Sequence, residues 1–172
     1  MKSIVLYSSL TGNTKQVAEA ITSVLPAGTP CVDMKQLPAD LADYDLVVAG
    51  FWVDRGTANA EARKVLETLN NKHVAIFATC GVPTQMPHAR ESLENAAKLL
   101  PEGVVPVKTF ICQGKVDPQV IEMMYKMFPQ GHAHGQSAER DARHKAAASH
   151  PNEDDLNAAK AFGQDVLAAA GQ

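Results

Sequence analysis

Two apolar runs in the middle of the chain, "YDLVVAGF" at 44–51 and "KHVAIFAT" at 72–79, restrict the fold more than any other feature. Neither alternates polar with apolar residues, so each predicts a strand buried on both faces, as in a parallel sheet covered by helices. "SIVLY" at 3–7, "TPCVDM" at 29–34 and "VVPVKTFIC" at 104–112 add three more strands, the last despite Pro106. Helical spacing fills the gaps between strands. From Asn13 the apolar positions Val17, Ala18, Ile21, Val24 and Leu25 run until Pro26 stops the helix, and "ANAEARKVLETL" and "HARESLENAAKLL" give two more. Strands joined in this way by helices require right-handed crossovers, which predicts an α/β fold with a doubly wound five-stranded sheet and helices on both faces.

The alternation ends near Val116. "QVIEMMYKMF" reads as a helix, 129–150 is rich in Gly, His, Ala and polar residues without a second core, and "NEDDLNAAKAFGQDVLAAA" is a final helix with Asn152 as its N-cap. A chain of 172 residues suits a single domain over 1–172, with 117–150 inserted between the fifth strand and the last helix.

Composition excludes several classes of function. A formal charge of -3 and a pI near 6.0 give no basic field for nucleic acid. No stretch reaches the roughly 20 apolar residues of a membrane span. "SIVLY" is too short for a secretory h-region, which makes the cytoplasm the expected location. Cys31, Cys80 and Cys112 are odd in number and widely spaced, the pattern of reduced thiols rather than a disulfide or metal framework. His132, His134, His144 and His150 raise a metal reading, but spacing fixes no Cys or carboxylate partner, so a lid or docking surface is the expectation and no metal is predicted.

Between the first strand and first helix stands "SLTGNT": Ser9, Leu10, Thr11, Gly12, Asn13 and Thr14. A helix N-terminus offers unpaired N–H groups and partial positive charge, Gly12 lets the backbone approach closely, and Ser9, Thr11 and Thr14 bring hydroxyl donors. The lysine of an ATP-binding GxxxxGK[ST] loop and the glycines of a dinucleotide GxGxxG are both missing, so a phosphate monoester fits best. The bland reading is a helix cap. Further on, "GFWVDRGTA" sets Phe51 and the chain's one tryptophan, Trp52, at the carboxyl end of a buried strand, where ligands of doubly wound sheets sit. Trp52 invites a planar ligand there, the alternative being ordinary packing against a helix.

These residues resemble the flavodoxin family, in which "SLTGNT" is similar to the loop for the phosphate of FMN. The resemblance covers residues 1–116 and the last helix. It implies the sheet order 2-1-3-4-5 and a flavin ring held between the loops after the third and fourth strands. By that similarity Trp52 stacks on the ring with Phe51 beside it, Val53 and Asp54 border it, and Thr79, Cys80, Gly81, Val82 and Pro83 form the second bordering loop. Arg55 reads either as a solvated cation or as a cation at the ring's N1 and O2 edge. The second loop departs from the family pattern. It has no aromatic before His88, which leaves the outer face of the ring open to a substrate or partner. The resemblance implies an FMN-bound electron carrier without catalytic acid or base, serving redox partner proteins or a small-molecule acceptor, as monomer or dimer. The alternatives are an FMN-dependent NAD(P)H or quinone-type reductase and a flavin-free interaction module on the same fold. Carriers of this family are often strongly acidic, which -3 is not.

Overall fold

A computed structural model describes residues 1–171. Five parallel strands, β1 (Ser3–Tyr7), β2 (Cys31–Asp33), β3 (Leu46–Asp54), β5 (His73–Cys80) and β6 (Thr109–Gln113), lie in the order β2-β1-β3-β5-β6. A short strand β4 (Thr57–Ala58) folds back antiparallel on the tip of β3. With β4 set aside, this is the 2-1-3-4-5 order of the doubly wound sheet.

Strands buried on both sides divide their side chains between two cores. Ile4, Leu6, Val47, Ala49, Phe51, Ile76 and Ala78 point to one face, against Ala62, Val65 and Leu66 of α2 (Ala60–Leu66) and Leu93 and Ala96 of α3 (Pro87–Ala97). Val5, Val48, Ala75 and Phe77 point to the other, against Val17, Ala18 and Ile21 of α1 (Asn13–Thr22) and Phe162 and Val166 of α6 (Glu153–Ala170). Alternate residues serve opposite cores, which is why the sequence shows no polar–apolar period there. Each fully buried Ile, Leu, Val or Phe contributes about 1.5–3 kcal/mol, so both sets fix the strand register strongly.

Asn152 caps α6 as expected. Its Oδ1 accepts from the Asp155 N–H at 3.1 Å while Asp155 Oδ2 accepts from the Asn152 N–H at 2.8 Å. The fifth strand is shorter than the apolar run suggests. Pro106 offers no N–H, and pairing begins only with the Val107 N–H donating to Val74 O at 2.8 Å before the ladder proper starts at Thr109.

Two elements escape the sequence reading. One is the hairpin of β3 and β4, turned at Arg55 and Gly56, both with positive φ (49° and 76°) as a type I′ turn requires. The other is α5 (Ala138–Ala147), which follows α4 (Pro118–Met127). It buries only Ala147, so no apolar stripe announces it, but Ser137 caps it by accepting from the Arg140 N–H at 3.2 Å. Among the described residues no helix is long and apolar enough to cross a membrane.

Candidate functional site

The carboxyl ends of β1, β3, β5 and β6 open into a cavity of about 410 Å³. Leu10, Thr11 and Asn13 line it from the loop after β1, Trp52, Val53 and Asp54 from the end of β3, and Thr79, Cys80 and Gly81 from the end of β5. Its remaining wall comes from Gly114, Lys115, Val116 and Asp117 after β6 and from Val120, Met123 and Met124 of α4.

The β1–α1 loop leaves its helix open to an anion. Gly12 occupies the N-cap at φ 93°, where a side chain is strained, and brings no side chain of its own to cap α1. No acid stands in the first turn of α1, whereas α6 has three there. Two backbone donors converge at one point, since Ser9 Oγ accepts from the Gly12 N–H at 3.1 Å and the Lys15 N–H at 3.4 Å. Converging N–H groups at a helix start with a glycine N-cap fit a phosphate. The loop is anchored on two sides. Asn13 Nδ2 donates to Lys115 O at 2.8 Å, tying it to the segment after β6, and Thr14 Oγ1 lies 2.9 Å from Thr79 Oγ1 inside the protein. Thr14 is thus 1% exposed, its hydroxyl committed to Thr79 rather than facing the turn.

Under the loop, Ser8 Oγ donates to Glu61 Oε2 at 2.6 Å and accepts from Asn59 Nδ2 at 2.9 Å. This network joins the exit of β1 to the start of α2. It has no motif, so sequence reasoning missed it; an Asn followed two positions later by Glu at a helix start was the one hint.

Trp52 lines the cavity, but its neighbour Phe51 does not. Side chains alternate along β3, and Phe51 is fully buried in the core beneath α2. The second loop also divides. Thr79, Cys80 and Gly81 face the cavity, whereas Val82 lines a separate one and Pro83 forms a turn in which its C=O accepts from the Met86 N–H at 3.0 Å. Arg55 is a solvated cation, with its side chain 94% exposed. Val120, Met123 and Met124 were not expected at the cavity, although "QVIEMMYKMF" was legible as a helix.

Burial holds the thiols protonated. It pushes Cys80 up to about 11, against a backbone hydrogen bond from Val82 that works the other way, and it also raises Cys112. Asp117 is used as the N-cap of α4, accepting from the Gln119 N–H at 2.8 Å. The cavity therefore presents an anion cradle, an aromatic face and apolar walls, without a nucleophile paired to a base. His132 and His134 pack on Phe128, with ring centroids 4.6 and 5.3 Å away, and among the described residues no three metal-ligating side chains come together.

The chain is 31% identical over 170 residues to the flavodoxin-like domain-containing protein BilS of Clostridioides difficile (strain CD3), covering 97% of each. Among solved structures it is similar to oxidised Flavodoxin 2 from Bacillus cereus, at 18% identity and TM-score 0.61 over 98% of this chain and 99% of that one. It also resembles a flavoprotein in complex with FMN from Lactobacillus acidophilus NCFM, at 18% identity and TM-score 0.51 over 64% of this chain and 92% of that one. The family model described as Flavodoxin domain matches residues 4–164, and the chain belongs to that family.

Proposed function

We propose that this chain binds FMN and works as an electron-transfer protein. The observation that carries the reading is the β1–α1 loop, whose N–H groups converge at a helix start with a glycine N-cap on the edge of a cavity faced by Trp52. The donor set suits a phosphate monoester attached to a planar ring. Gly12, Thr11 and Asn13 would hold the phosphate; Trp52, Val53, Asp54, Thr79, Cys80 and Gly81 would border the ring. When bound, FMN supplies the redox chemistry, taking up and passing on one or two electrons. The protein supplies binding, exclusion of water and electrostatics. Cys80, which burial holds protonated, would add no charge beside the cofactor. Electrons would be exchanged at the rim, where Leu10 and Met123 are exposed apolar contacts for a redox partner.

One observation favours a second reading, an FMN-dependent reductase of a quinone or similar conjugated compound with NAD(P)H as donor. Val120, Met123 and Met124 form an apolar wall suited to a planar substrate, on a helix that buries no residue in the core.

Titration of the apo-protein with FMN, followed by quenching of flavin fluorescence and with riboflavin as control, tests both. Hydrogen bonds to a charged group are worth about 1.5–3 kcal/mol each. Two of them make FMN bind at least about a hundredfold more tightly than riboflavin. No saturable quenching refutes both flavin readings and leaves the interaction module. With FMN bound, bleaching of its absorbance by NAD(P)H selects the reductase; unchanged absorbance selects the carrier.

A further inference from the structure

A second cavity, of about 300 Å³, lies between α5 and the loop after β5. Gly81 lines both cavities, so the second adjoins the cofactor cleft. Five of its eight lining residues are basic or imidazole: His88, His134, Arg140, Arg143 and His144; no carboxylate lines it.

The two guanidinium groups are held in the wall by the protein. Positions 140, 143 and 144 stand three and four residues apart, on one side of α5. Arg140 Nη2 donates to Ala133 O and lies 3.4 Å from His134 Nδ1. No described carboxylate comes within ion-pair distance of Arg140, while Arg143 has one partner, Glu139 at 3.2 Å, whose side chain is 82% exposed. The side chain of Arg143 is only 29% exposed, and its buried Nε has no partner. Asp141, the other acid on α5, accepts instead from Tyr125 Oη at 2.9 Å and Gln136 Nε2 at 3.2 Å. Positive charge thus prevails here. Burial and then the Arg140 cation keep His144 below its ordinary value, with Arg143 adding to that and Asp141 opposing it.

We propose that this cavity is an anion-binding subsite for the carboxylate or phosphate end of a ligand whose planar body lies toward the cofactor cleft. Guanidinium groups present donors in a planar fork matched to both anions, and two on one helix face leave neither dependent on a flexible lysine. The apolar wall of Val120, Met123 and Met124 beside this basic cavity selects an amphipathic ligand: conjugated at one end, anionic at the other. The placement of the ligand body rests on the flavin reading above; the anion subsite itself does not.

Direct binding to the full chain tests the proposal, with and without FMN. The probes are 2-naphthoate against neutral 2-naphthamide, and adenosine 2′-monophosphate against adenosine. Side-chain NMR of the histidines reports the location. The expected result is that at least one anion binds tenfold or more tightly than its neutral analogue at low salt. Its resonance shifts should centre on His134 and His144 rather than His73, and the preference should vanish in R140Q/R143Q. Preference within the naphthalene pair identifies an organic carboxylate, and preference within the adenosine pair a nucleotide phosphate; either supports the subsite. Analogues that bind within twofold of each other in both pairs, or shifts that leave His134 and His144 untouched, overturn it. Those wild-type readings stand even if the double variant does not fold. Because no flavin signal is used, failure of FMN to bind leaves the outcome equally readable.

Discussion

Replacing Gly114 by Ala tests whether the tie between the β1–α1 loop and the segment after β6 matters to the proposed FMN site. A Cβ at 114 would lie 2.9 Å from Asn13 Nδ2, 3.2 Å from its Cγ and 3.3 Å from its Cβ. No backbone atom comes that close. The Asn13 side chain must therefore rotate away, and its 2.8 Å hydrogen bond to Lys115 O is lost. That bond is worth about 1 kcal/mol, while removing a glycine from the unfolded chain returns about 0.4–1 kcal/mol. Global stability, read by urea denaturation, should consequently change by less than about 1 kcal/mol. FMN affinity should fall about fivefold, the equivalent of one lost positioning bond, and riboflavin affinity should hold. The sharper test is a double-mutant cycle with Asn13→Ala. If the new methyl acts only by displacing Asn13, then Gly114→Ala costs nothing further in the Asn13→Ala background, and the coupling is about 1 kcal/mol. Additive losses would refute the reasoning, as would an equal fall for riboflavin, because the effect would then not lie at the phosphate end.

Two further predictions concern neighbouring elements. Arg55→Asn should raise stability by about 1 kcal/mol and the Tm by about 2–4 °C in a scanning calorimeter, since Asn tolerates the positive φ of 49° and the 94% exposed side chain gives up no packing; a lower Tm would mean that Arg55 holds a partner. The second concerns pH. The folded-state value of His144 lies below its ordinary 6.5, so the unfolded chain binds the proton more readily and stability rises with pH. This contribution is fully present above about 6.5 and is lost as the pH falls below it. The urea midpoint should drop between pH 7.5 and 5.5, and His144→Gln should flatten that slope.

The sheet was legible because burial on both faces leaves a positive mark, a run of five or six residues without a polar side chain. The same mark conceals which residue faces what. Phe51 and Trp52 are adjacent, and a motif treats them as one aromatic pair, yet the strand period sends Phe51 into the core and Trp52 to the cavity. Thr14 carries the same lesson in the loop. Its hydroxyl, in a row of hydroxyls, reads as a ligand donor, but it meets Thr79 across 65 residues of sequence, a pairing that arises only when α1 packs on the sheet against β5. The motif pointed to the rim of the cavity; which side chains line it was decided by register.

The segment 117–150 was harder to read because its helices are not built against the sheet. An amphipathic helix announces a face, and the usual inference is that the face meets the core. Helix α4 buries no residue, and its apolar side chains Val120, Met123 and Met124 meet the open end of the sheet, where four strands stop and none continues. Periodicity cannot tell a core from a cleft, since both offer an apolar surface at the same spacing. Helix α5 is harder still, because its useful face is charged, and Arg140, Arg143 and His144 look like a solvated surface until the loop after β5 is laid against them. The two halves of the chain thus fail in opposite ways. In the first, the strands are certain and the facing of single residues is not. In the second, the faces can be drawn from the sequence, and only the fold supplies what each one meets.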